Sequence, residues 1–247
     1  MRGECDYTRI FLAFCQPMDT TSFSVKLEKK SLLTPDIFEL TFTKPPGFTF
    51  QAGQFVQFEI PDGEKMVLRS YSLSSTPRDE QLEFCVKILE NGKASALFSM
   101  MEPGENLGLR GPRGMFTNNE SVPLFLVATG AGMAPIMGII QDELKNKKNT
   151  ADIHVLFGVR EKKDIFWQDR LEKLSKEFSN FHYSITLSQP ESKSDWGGLT
   201  GRVNEHMKSP SLDHHYFLCG SAPMVKDVRS LLNASGVENK YIHFEIF

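Results

Sequence analysis

The chain has 247 residues, of which 40% are hydrophobic, and this length is typical of two medium-sized domains. Its 28 basic and 31 acidic residues give a formal charge of −3, which excludes a general electrostatic attraction to nucleic acid or to an anionic membrane. The four cysteines are too scattered for a CxxC pair, so no metal site is expected, neither zinc nor iron–sulfur, and a reduced, cytoplasmic protein fits best.

The opening residues 1–21 show no periodic pattern, and we interpret them as an N-terminal tail. Glu4 and Asp6 lie where a signal peptide would need positive charge, and the apolar stretch of this segment covers only residues 10–14. No other run reaches the ~18 apolar residues of a membrane helix, so we predict no membrane span.

From residue 22 to residue 109, short segments rich in valine, isoleucine and phenylalanine are separated by proline and glycine turns. In residues 54–60 apolar and polar side chains alternate, which is typical of a half-buried antiparallel strand. Six segments of this kind with short turns predict a small closed barrel or a sandwich. The predicted strands cover residues 22–30, 37–43, 54–60, 67–75, 82–89 and 106–109.

Within the fourth segment, residues 69–75 read Arg-Ser-Tyr-Ser-Leu-Ser-Ser and predict the end of a strand with a polar face. The guanidinium of Arg69 could hold a diphosphate through paired, charge-assisted hydrogen bonds. Tyr71 lies on the same side of the strand, where its ring could stack on a flat ring, while the serines offer short hydrogen-bond donors. This combination suits FAD. The alternative is an ordinary strand with a surface arginine and a half-buried tyrosine.

Residues 92–101 interrupt the strand pattern with a predicted short helix that begins at Gly92. A glycine followed by small residues leaves backbone N–H groups open to a phosphate, which the helix dipole also attracts, and Lys93 adds a positive charge. A plain glycine-initiated turn into a helix remains the alternative.

The stretch Gly-Pro-Arg-Gly-Met-Phe over residues 111–116 is interpreted as a rigid, strand-free linker that closes the barrel. Beyond it, the pattern of strands alone gives way to alternating strands and helices. We place the domain boundary near residues 118–121, which gives a first domain over residues 22–120 and a second over residues 121–247.

The second half opens with residues 124–129, a continuous apolar run that is typical of a strand buried on both faces of a parallel sheet. Gly130 and Gly132 follow, and they permit a tight turn that brings the backbone close to a pyrophosphate at a helix N-terminus. Pro135 suits the first helical turn. The third glycine of the usual dinucleotide fingerprint is absent, and the second strand ends without its ribose-binding acidic residue, so the chain departs from an ordinary Rossmann dehydrogenase.

The remaining pattern predicts a five-stranded parallel sheet with helices on both faces. Because ligands bind at the carboxyl ends of such strands, the polar residues after each strand are the candidates for chemistry. Taken alone, Cys219 is by default a small buried hydrophobe. The predicted strands cover residues 124–129, 153–157, 181–187, 215–219 and 241–246, and the predicted helices lie near residues 136–144, 165–177 and 222–234.

Six motifs occur in one order along the chain: RSYS, GKAS, GPRGMF, TGAGMAP, CGSAPM and a final EIF. This set resembles the ferredoxin–NADP reductase superfamily, specifically its shorter bacterial and oxygenase-reductase branch. The resemblance implies an antiparallel β-barrel that binds FAD, followed by a Rossmann-like α/β domain with a parallel sheet that binds NAD(P). It also implies hydride transfer from NAD(P)H to flavin N5 and then electron transfer to an acceptor.

The resemblance assigns roles to individual residues. It implies that Arg69 grips the FAD pyrophosphate, that Tyr71 stacks on the isoalloxazine, and that the Ser72 hydroxyl lies near flavin N5. Cys219 and Glu245 would lie beside the nicotinamide, so these two residues and Ser72 are the predicted catalytic set. The further predicted cofactor-binding residues are Ser70, Val86, Lys87, Ile88, Gly92, Lys93, Ala94, Ser95, Thr129, Gly130, Gly132, Pro135, Gly220, Met224 and Phe247, the last as a cover for the flavin.

The residues after the third strand of the α/β domain bear on the choice of coenzyme. Family members that select the 2′-phosphate commonly carry a serine–arginine pair there, whereas this chain has Ser188 and Gln189, which favours NADH. Arg160 and Arg202 could compensate for the missing arginine, so NADPH stays open.

The electron acceptor is predicted to be a separate protein, because the chain has no plant-type C-x4-C-x2-C spacing for a fused [2Fe–2S] domain. A ferredoxin, a flavodoxin or an oxygenase component is expected. Two other functions stay open. One is a free-flavin reductase, for which flavin is a substrate, and the other is a redox-sensing or assembly module that binds FAD and nucleotide without turnover.

Overall fold

The computed structural model of the protein describes residues 22–191 and 195–247, so the predicted tail over residues 1–21 lies outside the described residues. Six strands form a first, antiparallel sheet. They are β1 (Ser22–Thr34), β2 (Ile37–Thr43), β3 (Phe55–Asp62), β4 (Lys65–Ser72), β5 (Gln81–Lys87) and β6 (Asn106–Arg113). Their spatial order is β4-β3-β6-β1-β2-β5.

The two outer strands of this sheet meet and close it. Leu73, directly after β4, forms an antiparallel bridge with Phe84 of β5. The next N–H, that of Ser74, donates to the Glu83 carbonyl with an N···O distance of 2.9 Å. The sheet is therefore a barrel, which confirms the predicted antiparallel β-barrel.

The barrel interior follows from the alternation in β3. Val56, Phe58 and Ile60 point inward and are at most 1% exposed. The ring of Phe58 meets that of Phe84 edge to face, with 5.0 Å between ring centroids. The helix α1 (Lys93–Met100) packs on this core through Phe98, whose ring centroid is 5.6 Å from that of Phe58.

The prediction of a strand-free linker over residues 111–116 is wrong in its first half. Strand β6 continues to Arg113, which pairs with Phe55 of β3. Between this pair and the Gln57–Arg110 pair the register shifts by one residue, so Gly111 and Pro112 occupy a β-bulge. Bulges are the positions in a sheet that accept glycine and proline, which is why these residues do not end the strand.

A second sheet of six parallel strands follows in the spatial order β10-β9-β8-β7-β11-β12, which confirms the predicted α/β domain. The sequence predicts five of these strands and misses β10, because two residues carry no periodic pattern. The strands are β7 (Leu124–Thr129), β8 (Ile153–Val159), β9 (Phe181–Leu187), β10 (Leu199–Thr200), β11 (His215–Gly220) and β12 (Ile242–Ile246).

Helices cover both faces of the second sheet. They are α2 (Met133–Gln141), extended by a π-helix (Asp142–Asn146), α3 (Gln168–Glu177) and α4 (Ala222–Ala234). Alternate residues of β7 divide between the faces: Leu126 packs with α2 and α3, whereas Val127 packs with α4. Four 3-10 turns complete the fold: Gly130–Gly132, Lys162–Asp164, Val203–His206 and Asn239–Tyr241.

The barrel and the α/β domain make a buried contact through α2. Ile37 and Cys85 of the barrel strands belong to the same apolar core as Met133 of α2. A Cβ on Gly138 of α2 would lie 3.0 Å from the carbonyl oxygen of Leu73, so glycine lets this helix approach the closure of the barrel. Among the described residues, no helix has the length and apolar character to cross a membrane.

Candidate functional site

The end of β4 presents Arg69 and Tyr71 on one side, as the strand alternation predicts. The Tyr71 ring is held edge-on by Phe98 of α1, with 5.3 Å between centroids and 86° between ring planes. Burial raises the pKa of the Tyr71 phenol, and the nearby charge of Arg69 partly offsets that rise. Tyr71 is therefore a fixed, neutral and half-exposed aromatic surface beside a guanidinium.

The guanidinium of Arg69 is exposed and largely uncommitted. Its Nη1 donates to the carbonyl of the neighbouring Leu68 at 2.9 Å. Within the part of the chain that the structure describes, no carboxylate forms an ion pair with it. An arginine has five N–H donors in a planar fork, so Arg69 can still bind an anion in bidentate fashion.

Ser72 carries the clearest sign of a missing partner. Its side chain is 3% exposed, and its buried Oγ has no hydrogen-bond partner among the described residues. A buried hydroxyl without a partner costs about 1–3 kcal/mol, so a ligand that hydrogen-bonds to it would recover that free energy. This orphaned donor, which directly follows Tyr71 in the strand, fits a hydrogen bond to a bound flavin. Ser70, on the same face of the strand as Ser72, is exposed.

The predicted diphosphate loop lies at the start of α1. Gly92 is the N-cap, and no side chain caps the helix, so the first backbone N–H groups remain open. A Cβ on Gly92 would lie 2.7 Å from Ser95 Oγ, which itself accepts a hydrogen bond from the Leu89 N–H at 2.9 Å. The loop is thus a tight turn, and the small residues Gly92 and Ser95 allow the chain to fold back on itself there.

Lys93 carries the positive charge that was predicted to help attract phosphate, and in the structure this charge is paired. Its Nζ forms an ion pair with Asp62 at the end of β3. Lys87 is engaged in the same way, with 3.2 Å between its Nζ and Asp36. The sequence could not reveal these two ion pairs, because the partners in each pair come from different parts of the chain that meet only in the folded barrel.

The side chain of Val86 is fully buried in the barrel core, so this residue can offer a cofactor only its backbone. Ile88 is half-buried, and its N–H is already used by the Asp36 carbonyl at 2.7 Å. Ala94 is 5% exposed, so it lies on the buried side of α1.

The ends of β7 and β11 form the predicted nucleotide loop. The Ser221 N–H donates to Thr129 Oγ1 at 3.3 Å, which ties the two strand ends together. A Cβ on Gly132 would collide with the carbonyl of Cys219, and a Cβ on Gly220 would collide with Thr129 Oγ1. Glycine is therefore required at both positions, because neighbouring atoms approach the backbone too closely for a side chain. Gly130 opens the turn with φ +53°, and the buried Pro135 and Met224 stand in the first turns of α2 and α4.

Cys219 and Glu245 lie directly opposite each other in β11 and β12. Burial, with a contribution from the Glu245 charge, raises the pKa of the Cys219 thiol well above its usual range, so this thiol stays protonated. Burial raises the pKa of Glu245 to about 7. Phe247 follows, its N–H bound to the Gly220 carbonyl at 3.1 Å and its side chain 55% exposed.

Gly114 joins the two halves of the site. The position that a Cβ would take on Gly114 lies 3.0 Å from the ring of Phe55 and 3.2 Å from Glu245 Oε1. Phe55 is the direct cross-strand partner of Ser72. Ser72, Phe55, Gly114 and Glu245 thus form a row, which we call the Ser72–Glu245 row. It brings together two of the three predicted catalytic residues, and sequence reasoning missed the two between them.

The residues considered for coenzyme choice gather at the carboxyl ends of β8 and β9. The Gln189 N–H donates to the Arg160 carbonyl at 2.8 Å, and Ser188 Oγ lies 3.3 Å from the Val159 carbonyl. Arg202 is brought there by Gly201, whose N–H donates to the Leu187 carbonyl at 2.9 Å. All four of the predicted side chains, those of Arg160, Ser188, Gln189 and Arg202, are exposed.

Two family descriptions match this arrangement, an oxidoreductase FAD-binding domain over residues 24–118 and an oxidoreductase NAD-binding domain over residues 126–230. The ferredoxin–NADP reductase B of Sorangium cellulosum is 33% identical over 238 residues, which cover 90% of this chain and 96% of that protein. The chain belongs to the ferredoxin–NADP reductase superfamily. It is an FAD- and NAD(P)-dependent flavoprotein oxidoreductase, which confirms the resemblance and the enzyme class that the motifs imply.

Other reductases of this superfamily are longer than this chain. The electron transfer component of toluate 1,2-dioxygenase from Pseudomonas putida is 29% identical, and the match covers 80% of this chain but 59% of that protein. The corresponding component of anthranilate 1,2-dioxygenase from Acinetobacter baylyi is 30% identical, with 80% and 58% covered. The chain therefore spans less than two thirds of the length of these two relatives.

A solved structure agrees with the fold. The ferredoxin NADP+ reductase from Neisseria gonorrhoeae, crystallised with bound FAD and NADP, superposes with a TM-score of 0.80 at 24% identity. The superposition covers 92% of this chain and 99% of that one.

Proposed function

We propose that the superfamily reductase binds FAD along β4 and α1 and NAD(P)H at the ends of β7 and β11, and passes electrons to a separate acceptor protein. The observation that carries this proposal is the buried Ser72 hydroxyl, which has no hydrogen-bond partner among the described residues and directly follows Tyr71 in β4. In this proposal residues 22–120 bind FAD and residues 121–247 bind NAD(P)H.

Bound FAD would supply the chemistry of accepting a hydride from NAD(P)H and releasing electrons one at a time. The protein supplies binding and orientation. Arg69 and the open N–H groups of α1 hold the diphosphate, because both present donors that no described residue uses. Tyr71 offers a flat face whose angle is fixed by Phe98. Ser72 donates a hydrogen bond from inside the site.

The nicotinamide side of the site is formed by Cys219 and Glu245. The Cys219 thiol stays neutral, so it can pack against a nicotinamide ring without adding charge. The Glu245 carboxyl, with a pKa of about 7, is protonated over the acidic range and can then donate a hydrogen bond to a polar group of the coenzyme. Phe247 would cover the flavin face until the nicotinamide displaces it.

We propose NADH as the preferred coenzyme. Gln189 stands where selective binding of a 2′-phosphate would call for a cation, and its backbone is fixed to Arg160. The side chains of Arg160 and Arg202 are exposed at the same edge, and they are the groups through which NADPH would be accepted.

A ferredoxin, a flavodoxin or an oxygenase component is the proposed acceptor, in keeping with the kinds of protein that the relatives serve. A cytoplasmic location is proposed with it, because Cys85 and Cys219 are both free, buried thiols.

Gel filtration of the purified protein with a flavin absorbance trace tests the FAD proposal. Co-elution of FAD with the protein is the expected result, because the diphosphate donors and the Ser72 hydroxyl would hold it tightly. Flavin that elutes apart from an active protein would contradict it and would favour a free-flavin reductase.

A further inference from the structure

Phe55 is the first residue of β3, and it lies between the two halves of the proposed site. Its cross-strand partners are Ser72 of β4 on one side and Arg113 of β6 on the other. Two carbons of its ring, Cδ1 and Cε1, lie 3.0 and 3.1 Å from the position that a Cβ would take on Gly114. No sequence motif pointed to this phenylalanine.

The Glu245 carboxylate approaches the same point from the other sheet. Its Oε1 lies 3.2 Å from the Cβ position of Gly114, so the ring and the carboxyl group flank one small gap. Gly114 has φ +98°, a conformation that favours glycine. Its carbonyl is held at 3.1 Å by the side-chain amide of Gln54. The gap between Phe55 and Glu245 is therefore a built feature of the barrel rim.

Three of the described groups around Glu245 carry no charge. Phe55 and Gly114 face it from the barrel, and the Cys219 thiol faces it from β11. Burial raises the pKa of that thiol, so it stays protonated in the neutral range. Burial is also the cause of the raised pKa of Glu245, about 7. An apolar ring on the other side of the Gly114 gap removes water from one side of the carboxyl and contributes to that burial.

We infer that Phe55 is the positioning residue for Glu245: its ring keeps the carboxyl dry and fixed at the end of the Ser72–Glu245 row. This inference rests on the proposed function, in which the protonated Glu245 carboxyl donates a hydrogen bond beside the nicotinamide. Phe55 touches neither reacting atom in that scheme and acts through Glu245. It sets the pH range over which the carboxyl is a donor.

The test is an infrared titration of the Glu245 carboxyl in the protein as purified, assigned by the band that disappears in Glu245→Gln. Phe55→Ala should move the titration of this band toward the ordinary pH range of a glutamate, by about one pH unit or more. Phe55→Leu, which restores apolar bulk, should titrate like the native protein. Gly114→Ala, which fills the gap and pushes the two groups apart, should shift the titration in the same direction as Phe55→Ala.

The pH profile of anaerobic flavin reduction by NADH should follow the infrared titration, with the limb near neutral pH moved to lower pH in Phe55→Ala and in Gly114→Ala but not in Phe55→Leu. An unchanged infrared titration in both Phe55→Ala and Gly114→Ala, or an equal shift in Phe55→Leu, would overturn the inference. If the native protein is not reduced by NADH or NADPH, the proposed function fails instead. The infrared titration still decides whether Phe55 controls Glu245.

Discussion

Arg170 of α3 forms an ion pair with Glu39 of β2, with 2.6 Å between its Nη2 and Glu39 Oε1. The two residues are 131 positions apart in the chain, with Glu39 in the barrel and Arg170 in a helix of the α/β domain. The same carboxylate accepts a hydrogen bond from Trp167 Nε1 at 2.9 Å, and the second arm of the guanidinium reaches Glu83 at 3.2 Å. The side chain of Glu39 is only 6% exposed, so Arg170 neutralises a buried charge between barrel and α/β domain.

Removal of Arg170 should destabilise the contact between the domains. We expect Arg170→Met to lower the free energy of unfolding by about 3 kcal/mol, because it leaves the Glu39 carboxylate buried without its cation. Urea unfolding followed by the fluorescence of Trp167 measures this change. Arg202→Met, at an exposed arginine, is the matched control, and a loss below about 1 kcal/mol in Arg170→Met would contradict the account.

The ion pair between Arg170 and Glu39 also shows which kind of contact cannot be predicted from the sequence. The alternation in β3 and the apolar run of β7 predict a barrel and a parallel sheet, because local patterns report which faces are buried. The order of the motifs predicts the position of the site, because glycine and hydroxyl residues at strand ends seldom have another role than ligand binding. Nothing local connects Glu39 with Arg170, Lys93 with Asp62, or Phe55 with Glu245, since each pair forms only after the sheets have closed.

Arg69 should hold FAD more strongly than any other single side chain of the barrel. Arg69→Ala removes two charge-assisted hydrogen bonds to a diphosphate, so the Kd for FAD should rise by about 10- to 100-fold. Flavin fluorescence during titration of flavin-free protein measures the affinity. Arg78→Ala removes an exposed arginine from the turn after the motif and should leave it unchanged. A fully yellow Arg69→Ala protein after gel filtration would count against this role.

Ser72 should affect hydride transfer more than FAD binding. Ser72→Ala removes one preorganised donor inside the site, so flavin reduction in a stopped-flow experiment should slow by about 100-fold while FAD stays bound. Ser74→Ala is the matched control, because its Oγ is also buried without a partner but lies where α2 covers the strand. Equal rates in native protein and Ser72→Ala would remove Ser72 from the mechanism.

Gly132 should matter for the coenzyme and not for the flavin. A Cβ there would collide with the Cys219 carbonyl, so Gly132→Ala must push apart the ends of β7 and β11. We expect kcat/KM for NADH to fall by about 10- to 100-fold, because a small displacement of the nicotinamide is enough. Gly197→Ala, where the added Cβ would meet nothing within 4 Å, serves as the comparison, and flavin content should be native in Gly132→Ala. Loss of FAD from Gly132→Ala would contradict the assignment of this turn to the coenzyme and not to the flavin.

The most direct test of the central claim is an anaerobic titration of the FAD-containing protein with NADH and with NADPH while the flavin absorbance is followed. The account predicts that either coenzyme bleaches the flavin and that NADH does so at the lower concentration. A flavin that stays oxidised in the presence of both would contradict the assignment of Ser72, Cys219 and Glu245 to hydride transfer.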